Sequence, residues 1–310
     1  MKYLLFIPML LPFSLQGYEL VKNSGKLGSP NYSVGLSSGL KEDNLKWNIA
    51  GPATIGGRTY NPDILSELEW KKLKSYYSKI ALKGDDGRYA LKLSAGYGVS
   101  YDGEVRDSDY LYSGRSGEFS RSISSGKGSE SFDYLAALGY KYDIKNTLFI
   151  LLVGYEWNEQ HLKIKNAKGV IGAPTSAYAG LDSKYKTLWK GPYVGGDYEF
   201  RPTTNSKVML GYSYHWLGYE GKGYWNLRAD FAQNPSFKHT GNGSGHKMNM
   251  QVDYDITSNW SLNLKGEYRK FKIENGDDIT YFSNGASGYN KLNEVKWESY
   301  ALMLGVGYRF

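Results

Sequence analysis

Few residues of this chain could carry acid–base chemistry, and two of them are paired. Asp107 and Asp109 form an Asp-x-Asp pair within a segment rich in Gly, Ser and Asp. Two such carboxylates can hold a water, and histidine is the side chain best suited to act as its base near neutral pH. A lone Asp-x-Asp is also common among solvated loop acids. A catalytic role and a solvated role therefore stay open for this pair.

The histidines that could supply the base are His161, His215, His239 and His246. His161 follows Glu159 by two positions, but period-two alternation puts both side chains on the outer face of a strand. His215 is predicted to lie in a strand wall. His239 and His246 flank a Gly/Asn/Ser stretch that we predict to be a loop. A histidine in that loop is the remaining alternative base.

The composition excludes several classes of site. The chain has no Cys, which excludes a disulfide scaffold, a thiolate metal site and a cysteine nucleophile. It contains no P-loop, HExxH or EF-hand motif, so we predict no cofactor and no metal. The formal charge of +7, from 38 Lys+Arg against 31 Asp+Glu, is too weak to indicate nucleic acid as a partner.

The N-terminus has the pattern of an export signal. Met1 and Lys2 give a positive start, and an apolar run from Tyr3 to Leu15 follows. This run is too short to span a bilayer as a helix. We predict residues 1–17 to be a cleaved signal peptide and residues 18–310 to be the mature domain. Export without Cys fits a bacterial envelope protein.

The body of the chain alternates with period two, as β-strands do. Apolar or aromatic side chains alternate with small or polar ones over 91–101, 132–142 and 299–310. The strands are long, and aromatic residues stand toward both ends of each apolar stripe. These features favour a membrane barrel over a soluble sandwich. A last strand that ends in Phe310 is similar to the sorting signal of outer-membrane barrels.

Turns and loops alternate along the chain. Four short polar turns stand near 83–87, 143–146, 201–206 and 255–259, and five longer polar connections lie near 48–63, 102–131, 165–182, 219–245 and 274–296. We therefore predict an all-β fold, a ten-stranded antiparallel transmembrane barrel with short periplasmic turns and long extracellular loops. The ring must close, because an open edge in lipid leaves backbone groups unpaired. Ten strands enclose little more than their own side chains, which makes a wide pore unfavourable.

Scattered matches over roughly residues 32–310 resemble the omptin family of ten-stranded outer-membrane aspartate/histidine proteases. The resemblance implies a tall barrel whose loops rise above the membrane and form a cleft. The most specific match is Leu65–Lys71, which is similar to the family's S-x-L-D-W-K segment. The other matching segments are Tyr32–Gly35 with Ser38 and Gly39, Asp107–Tyr110, and Tyr185 with Lys186 through Pro192–Gly195.

The resemblance also implies where the chemistry would be. Omptins cleave peptides with an Asp-x-Asp pair and an Asp-x-His pair on opposite walls of the cleft. Asp107 and Asp109 match the first pair, but Gly223 and Trp225 stand where the family has its Asp and His. No Asp-x-His occurs in the sequence, and Glu159 with His161 is the nearest approach to one. Losing the family's base is expected to cost several orders of magnitude in rate.

The family's lipopolysaccharide contacts are matched only in part. Tyr155 keeps the family's tyrosine, whereas Trp157 and Glu159 stand where an acid and an arginine are expected. We predict outer-membrane lipids as partners, with lipopolysaccharide and an extracellular protein as further candidates. We predict that the basic side chains at the end of the strand that carries Tyr155 are solvated.

The sequence thus predicts an omptin-like barrel of a Gram-negative outer membrane that is non-proteolytic and acts as an adhesin, a structural envelope protein or a narrow porin. Aromatic side chains predicted in the long loops, Tyr219, Tyr224 and Trp225, are candidate binding residues together with Tyr155. The alternative is an omptin-type endopeptidase with a rearranged site. Asp107 and Asp109 would then hold the water, and a loop histidine would replace the missing base.

Overall fold

The computed structural model describes residues 31–144, 147–172 and 178–310, and β-strands dominate all three ranges. No helix in these ranges is long and apolar enough to cross a membrane. The signal peptide predicted at 1–17 lies outside the described residues and stays a prediction. The strands are, in chain order, β1 (Asn31–Ala50), β2 (Ala53–Ile55), β3 (Arg58–Tyr60), β4 (Ser66–Asp85), β5 (Tyr89–Tyr112), β6 (Ser116–Ser125), β7 (Glu130–Ile144), β8 (Thr147–Ile171), β9 (Asp182–Thr203), β10 (Ser206–Tyr224), β11 (Phe237–Asp255), β12 (Trp260–Tyr281) and β13 (Ser287–Arg309).

The long strands form one closed antiparallel ring. Going around it, the strands are β1, β4, β5, β7, β8, β9, β10, β11, β12 and β13, and β13 pairs with β1. β6 shares the position of β7, because each of them pairs with a different part of β5 and of β8. The 11-stranded sheet therefore has ten positions around the ring. This confirms the predicted ten-stranded antiparallel barrel.

One half of the outer wall is apolar. We call the end of the barrel that holds Asn31 and Phe310 proximal and the opposite end distal. On β13, Tyr300, Leu302 and Leu304 point outward and are between 49% and 69% exposed, while Met303 between them is buried. A continuous apolar surface of this kind is unfavourable in water and fits contact with lipid. The predicted alternation of the last strand is confirmed.

The strands extend well beyond the membrane. β5 has 24 residues and β8 has 25, whereas crossing a bilayer takes about 9–11 residues. The predicted loops 102–131 and 219–245 were therefore too long, because β5, β6, β10 and β11 occupy most of them. The reason is physical: above the lipid the outer face of a strand is polar, so it carries no apolar stripe that would mark it as a strand.

A bulge changes which residues of β5 face inward. The register between β4 and β5 shifts between Lys71 and Ser75, opposite Gly103, which has a φ of +152°. Lys72 also has a positive φ, of 49°. Proximal to the bulge Ser100 faces the interior, and distal to it Val105, an odd-numbered residue, does so. The side chains at 107 and 109 thus share the inward parity.

The distal half of the interior is filled by a packed apolar cluster, which we call the distal core. Trp70 of β4 stacks on Tyr185 of β9 with the ring centroids 5.4 Å apart, and Trp47 of β1 lies 6.0 Å from the same ring. β1 and β9 are on opposite sides of the ring, so these side chains span its whole width. The aromatic members of the distal core are Trp47, Trp70, Tyr185, Trp189, Tyr219, Phe237, Phe271 and Trp297.

A layer of buried charges, which we call the ion-pair layer, lies on the proximal side of the distal core. Arg269 of β12 bridges the interior to Asp133 of β7 at 3.0 Å and to Glu156 of β8 at 2.9 Å. Lys247 of β11 also binds Glu156, at 2.9 Å, and Lys41 of β1 lies 3.6 Å from Asp133. These ion pairs join opposite walls of the barrel, so the ion-pair layer closes the interior as the distal core does.

Candidate functional site

The two candidate acids lie at the distal rim and face inward. Asp107 stands opposite Leu68 of β4, a buried member of the distal core, and Asp109 stands opposite Ser66. On its other side β5 pairs with β6, whose Ser122 and Ser120 stand opposite the two acids. Strand partners share a face of the sheet, so both carboxylates point toward the interior above the distal core.

The surroundings of this pair disfavour its charged form. Burial and the neighbouring Asp109 raise the pKa of Asp107 well above its usual value. Burial also raises the pKa of Asp109, although hydrogen bonds with Ser66 and Ser120 oppose the shift. Two carboxyl groups close together in a partly desolvated place repel each other when both are ionised. The pair is thus suited to hold a proton or to receive a cation.

The cation that acts on both acids is Arg228, in the connection between β10 and β11. Its positive charge lowers the pKa values of Asp107 and Asp109 and partly offsets their burial. The guanidinium group donates two hydrogen bonds to Asp230, at 2.8 and 2.7 Å, and lies 3.9 Å from the ring centroid of Phe231. Arginine stays protonated at any ordinary pH, so Arg228 can pair with the acids but cannot act as their base.

Each histidine is engaged with other partners. His161 Nε2 lies 2.6 Å from Glu159 on the outer face, as the parity predicted, and His246 Nδ1 lies 2.6 Å from the Tyr212 hydroxyl. His215 is buried in the ion-pair layer, 3.5 Å from Glu156. The predicted loop around His239 and His246 is wrong, because both lie in β11, and a swinging loop histidine is not available there.

At the two positions where omptins have Asp and His, aromatic rings take up the space that those side chains would need. A Cβ atom at Gly223 would overlap the ring of Phe237, so no larger side chain fits there without displacing that ring. Trp225 packs against the distal core, with its ring centroid 4.6 Å from that of Phe237. The wall opposite Asp107 and Asp109 is therefore aromatic at these positions.

A buried hydrogen-bond chain, which the sequence did not indicate, lies inside the distal core. His239 Nδ1 is 2.7 Å from the Tyr185 hydroxyl, which is 2.6 Å from the Tyr219 hydroxyl. His239 Nε2 lies 3.1 Å from Asp278, and both side chains are almost fully buried. Asp278 falls within the connection predicted at 274–296, but it lies on β12 and stands opposite His239. Only the pairing of β11 with β12 reveals this contact.

The candidate binding residues lie in four different surroundings. Tyr155 faces outward with its ring 4.4 Å from that of Trp157. Tyr219 is 5% exposed inside the distal core, whereas Tyr224, the last residue of β10, receives the Lys186 ammonium over its ring at 5.9 Å. Trp225 is partly buried against the distal core. Of these four side chains, Tyr155 and Tyr224 are the ones that the structure places on the outer wall.

Comparison with known proteins agrees with the architecture. The family model described as "Pom: Protochlamydia outer membrane protein" matches residues 35–310. No curated protein matches the chain. Among solved structures, the outer membrane protease OmpT from Escherichia coli has 14% sequence identity and a TM-score of 0.75, with 90% of this chain and 97% of that chain covered. This likeness concerns the fold alone.

A second solved structure is much less similar. The translocator domain of the autotransporter NalP from Neisseria meningitidis has 12% identity and a TM-score of 0.38, with 94% of this chain and 91% of that chain covered.

Proposed function

The chain belongs to the Protochlamydia outer membrane protein family and forms a barrel of the Gram-negative outer membrane, and from this premise we propose that it is a non-proteolytic barrel that works through its extracellular rim. The observation that carries the proposal is that Arg228 is the cation that acts on Asp107 and Asp109, whereas the imidazole of each histidine is held by other side chains. General-base activation of water needs a group that can accept a proton, and an arginine does not supply one.

The closed interior supports a role at the outer surface. The distal core and the ion-pair layer join opposite walls, so a partner reaches the rim and the outer wall more readily than the interior. Several apolar side chains are exposed around the rim, among them Tyr289 at 72%, Tyr112 at 55% and Leu227 at 46%. Exposed aromatic and aliphatic groups of this kind are favourable contacts for a protein partner. An adhesin or a structural envelope protein fits this arrangement best.

A peptide-cleavage assay tests the non-proteolytic assignment. The protein is refolded into detergent with lipopolysaccharide and offered a fluorogenic peptide that contains two adjacent basic residues. We expect no cleavage above that of lipopolysaccharide–detergent micelles without protein, and no difference between the wild type and Asp109→Ala, because each histidine is held by other side chains. Cleavage by the wild type that disappears in Asp109→Ala would establish the alternative, an endopeptidase with a rearranged site.

A narrow porin is the second candidate, and the proximal interior favours it. Two cavities, of about 120 and 70 Å³, lie on the proximal side of the ion-pair layer, and lysine and acidic side chains form part of the lining of each. A conducting path would require the ion-pair layer and the distal core to move together. The porin role would then show as brief conductance events separated by long closed periods.

A further inference from the structure

Two lysines in the proximal interior, Lys265 buried and Lys83 half-buried, form no ion pair with an acid in the described part of the chain. Lys83 of β4 and Lys265 of β12 line both proximal cavities, the one of about 120 Å³ and the one of about 70 Å³. Lys265 is 8% exposed and makes no hydrogen bond or ion pair with any residue in the part of the chain that the structure describes. The Lys83 ammonium has the Met209 sulfur, 3.8 Å away, as its hydrogen-bond acceptor. A thioether is a weak acceptor and carries no charge to balance the lysine.

The acids near these two lysines are bound to other cations. Glu267 is held by Lys79 at 2.6 Å, and Asp253 by Lys207 at 3.4 Å. Asp197 forms its ion pair with Lys92 across the barrel. Each carboxylate that borders the cavities therefore already has a cation of its own.

The lining of both cavities is strongly positive. Five lysines and two acids border the larger cavity, and three lysines, Arg309 and a single acid border the smaller one. Ammonium groups that are removed from water and left without a counter-charge are unfavourable, and proteins normally pair them. One further acid, Glu199, acts electrostatically on Lys83, but it lies 3.8 Å from Lys207, which it shares with Asp253, so Lys265 is left without an acid of its own among the described residues. An anion from outside the chain can supply the charge that Lys265 lacks.

We propose that the proximal cavities bind a small oxyanion, of which inorganic phosphate is the simplest example, between Lys83 and Lys265. The larger cavity is far roomier than the roughly 10–15 Å³ that one water needs, so a tetrahedral anion fits. The smaller cavity is bordered by Ser33 and Arg309, near the proximal ends of β1 and β13, and leads toward the periplasmic side. Charge-assisted hydrogen bonds from two ammonium groups would hold the anion. The site is independent of the rim and of proteolysis.

Calorimetric titration of the refolded barrel in a nonionic detergent at low ionic strength tests the site. We expect inorganic phosphate to bind with one site per chain and to raise the thermal unfolding midpoint, because a ligand that binds only the folded state stabilises it. Lys83→Met with Lys265→Met is expected to weaken binding at least about tenfold, since two charged hydrogen-bond donors are lost. Lys127→Met, at an exposed position in the turn between β6 and β7, is the matched control and should bind like the wild type.

Two further arms define what the site recognises and keep the test decisive. Sulfate should compete with phosphate, whereas chloride at equal ionic strength should not, and an organic phosphate ester too large for the cavity should bind much more weakly. If the double variant does not refold, Lys265→Gln alone is measured and should still weaken phosphate binding. The proposal is overturned if the wild type shows no saturable phosphate binding, or if the lysine variants bind phosphate as the wild type does.

Discussion

The kind of basic residue beside Asp107 and Asp109 decides which chemistry these two acids can take part in. An imidazole opposite two aspartates would take and return a proton, but Arg228 only balances their charge. Asp107 and Asp109 keep the spacing of a catalytic pair, while Gly223 against Phe237 leaves no room for a third acid on the facing wall. An Asp-x-Asp pair whose neighbouring cation is an arginine is thus compatible with the proposed non-proteolytic role.

Asp107→Asn tests the electrostatics of the pair through its pH dependence. Burial and Asp109 raise the pKa of Asp107 above the value of 3.8 that it has when unfolded, so its ionisation destabilises the folded state as the pH rises through the raised pKa. The asparagine variant should therefore be more stable than the wild type at neutral pH. This advantage should shrink toward zero as the pH is lowered to the unfolded pKa. Urea unfolding of the refolded barrel at several pH values measures it.

Glu220→Gln is the control, and its change should have the opposite sign. Hydrogen bonds from Lys222 and Lys238, both at 2.7 Å, lower the pKa of Glu220. That carboxylate stabilises the folded state above its unfolded pKa, and the contribution is lost as the pH falls. The glutamine variant should be slightly less stable at neutral pH and equal to the wild type in acid. A stability advantage of Asp107→Asn that increased in acid would contradict our account of the rim.

At the scale of strands, the sequence predicts the features that contact with lipid requires, which are an apolar outer face and short turns. The alternation of β13 and the short turn after β4 follow from an apolar outer face and from turn residues, and the structure has both. The extent of β10 and β11 above the lipid could not be predicted, because their outer faces there are polar. Contacts such as that of His239 with Tyr185 depend on which strands meet across the barrel, and no local pattern records this.

Gly221 on β10 is required by the packing of the distal core. A Cβ atom there would overlap the hydroxyl group of Tyr185 and lie 2.8 Å from that of Tyr219. Gly221→Ala should therefore destabilise the barrel by about 1–3 kcal/mol, as overpacking of a core does. Gly218→Ala on the same strand is the matched control, because its Cβ atom would meet nothing closer than 3.7 Å. Unfolding midpoints in urea compare the two variants, and equal stabilities would contradict the tight packing around Tyr185.

At the scale of the whole molecule, side chains close the interior of the barrel in its distal half and at the ion-pair layer. From the distal rim to the proximal cavities, side chains of opposite strands meet first as the distal core and then as the ion-pair layer. Truncating a buried tryptophan such as Trp189 typically costs about 3–5 kcal/mol, so the closed state resists opening. The closed interior thus supports the proposed role of the outer surface.

Conductance across a planar lipid bilayer tests the closed interior most directly. Refolded wild-type protein is inserted from detergent, and its insertion is confirmed by protease protection of the embedded barrel. We predict a membrane current that stays at its baseline over the whole recording, apart from rare and brief events. A stable open level that the wild type reaches on insertion and keeps would contradict the account, because ions would then pass where the structure places Trp189 and Arg269.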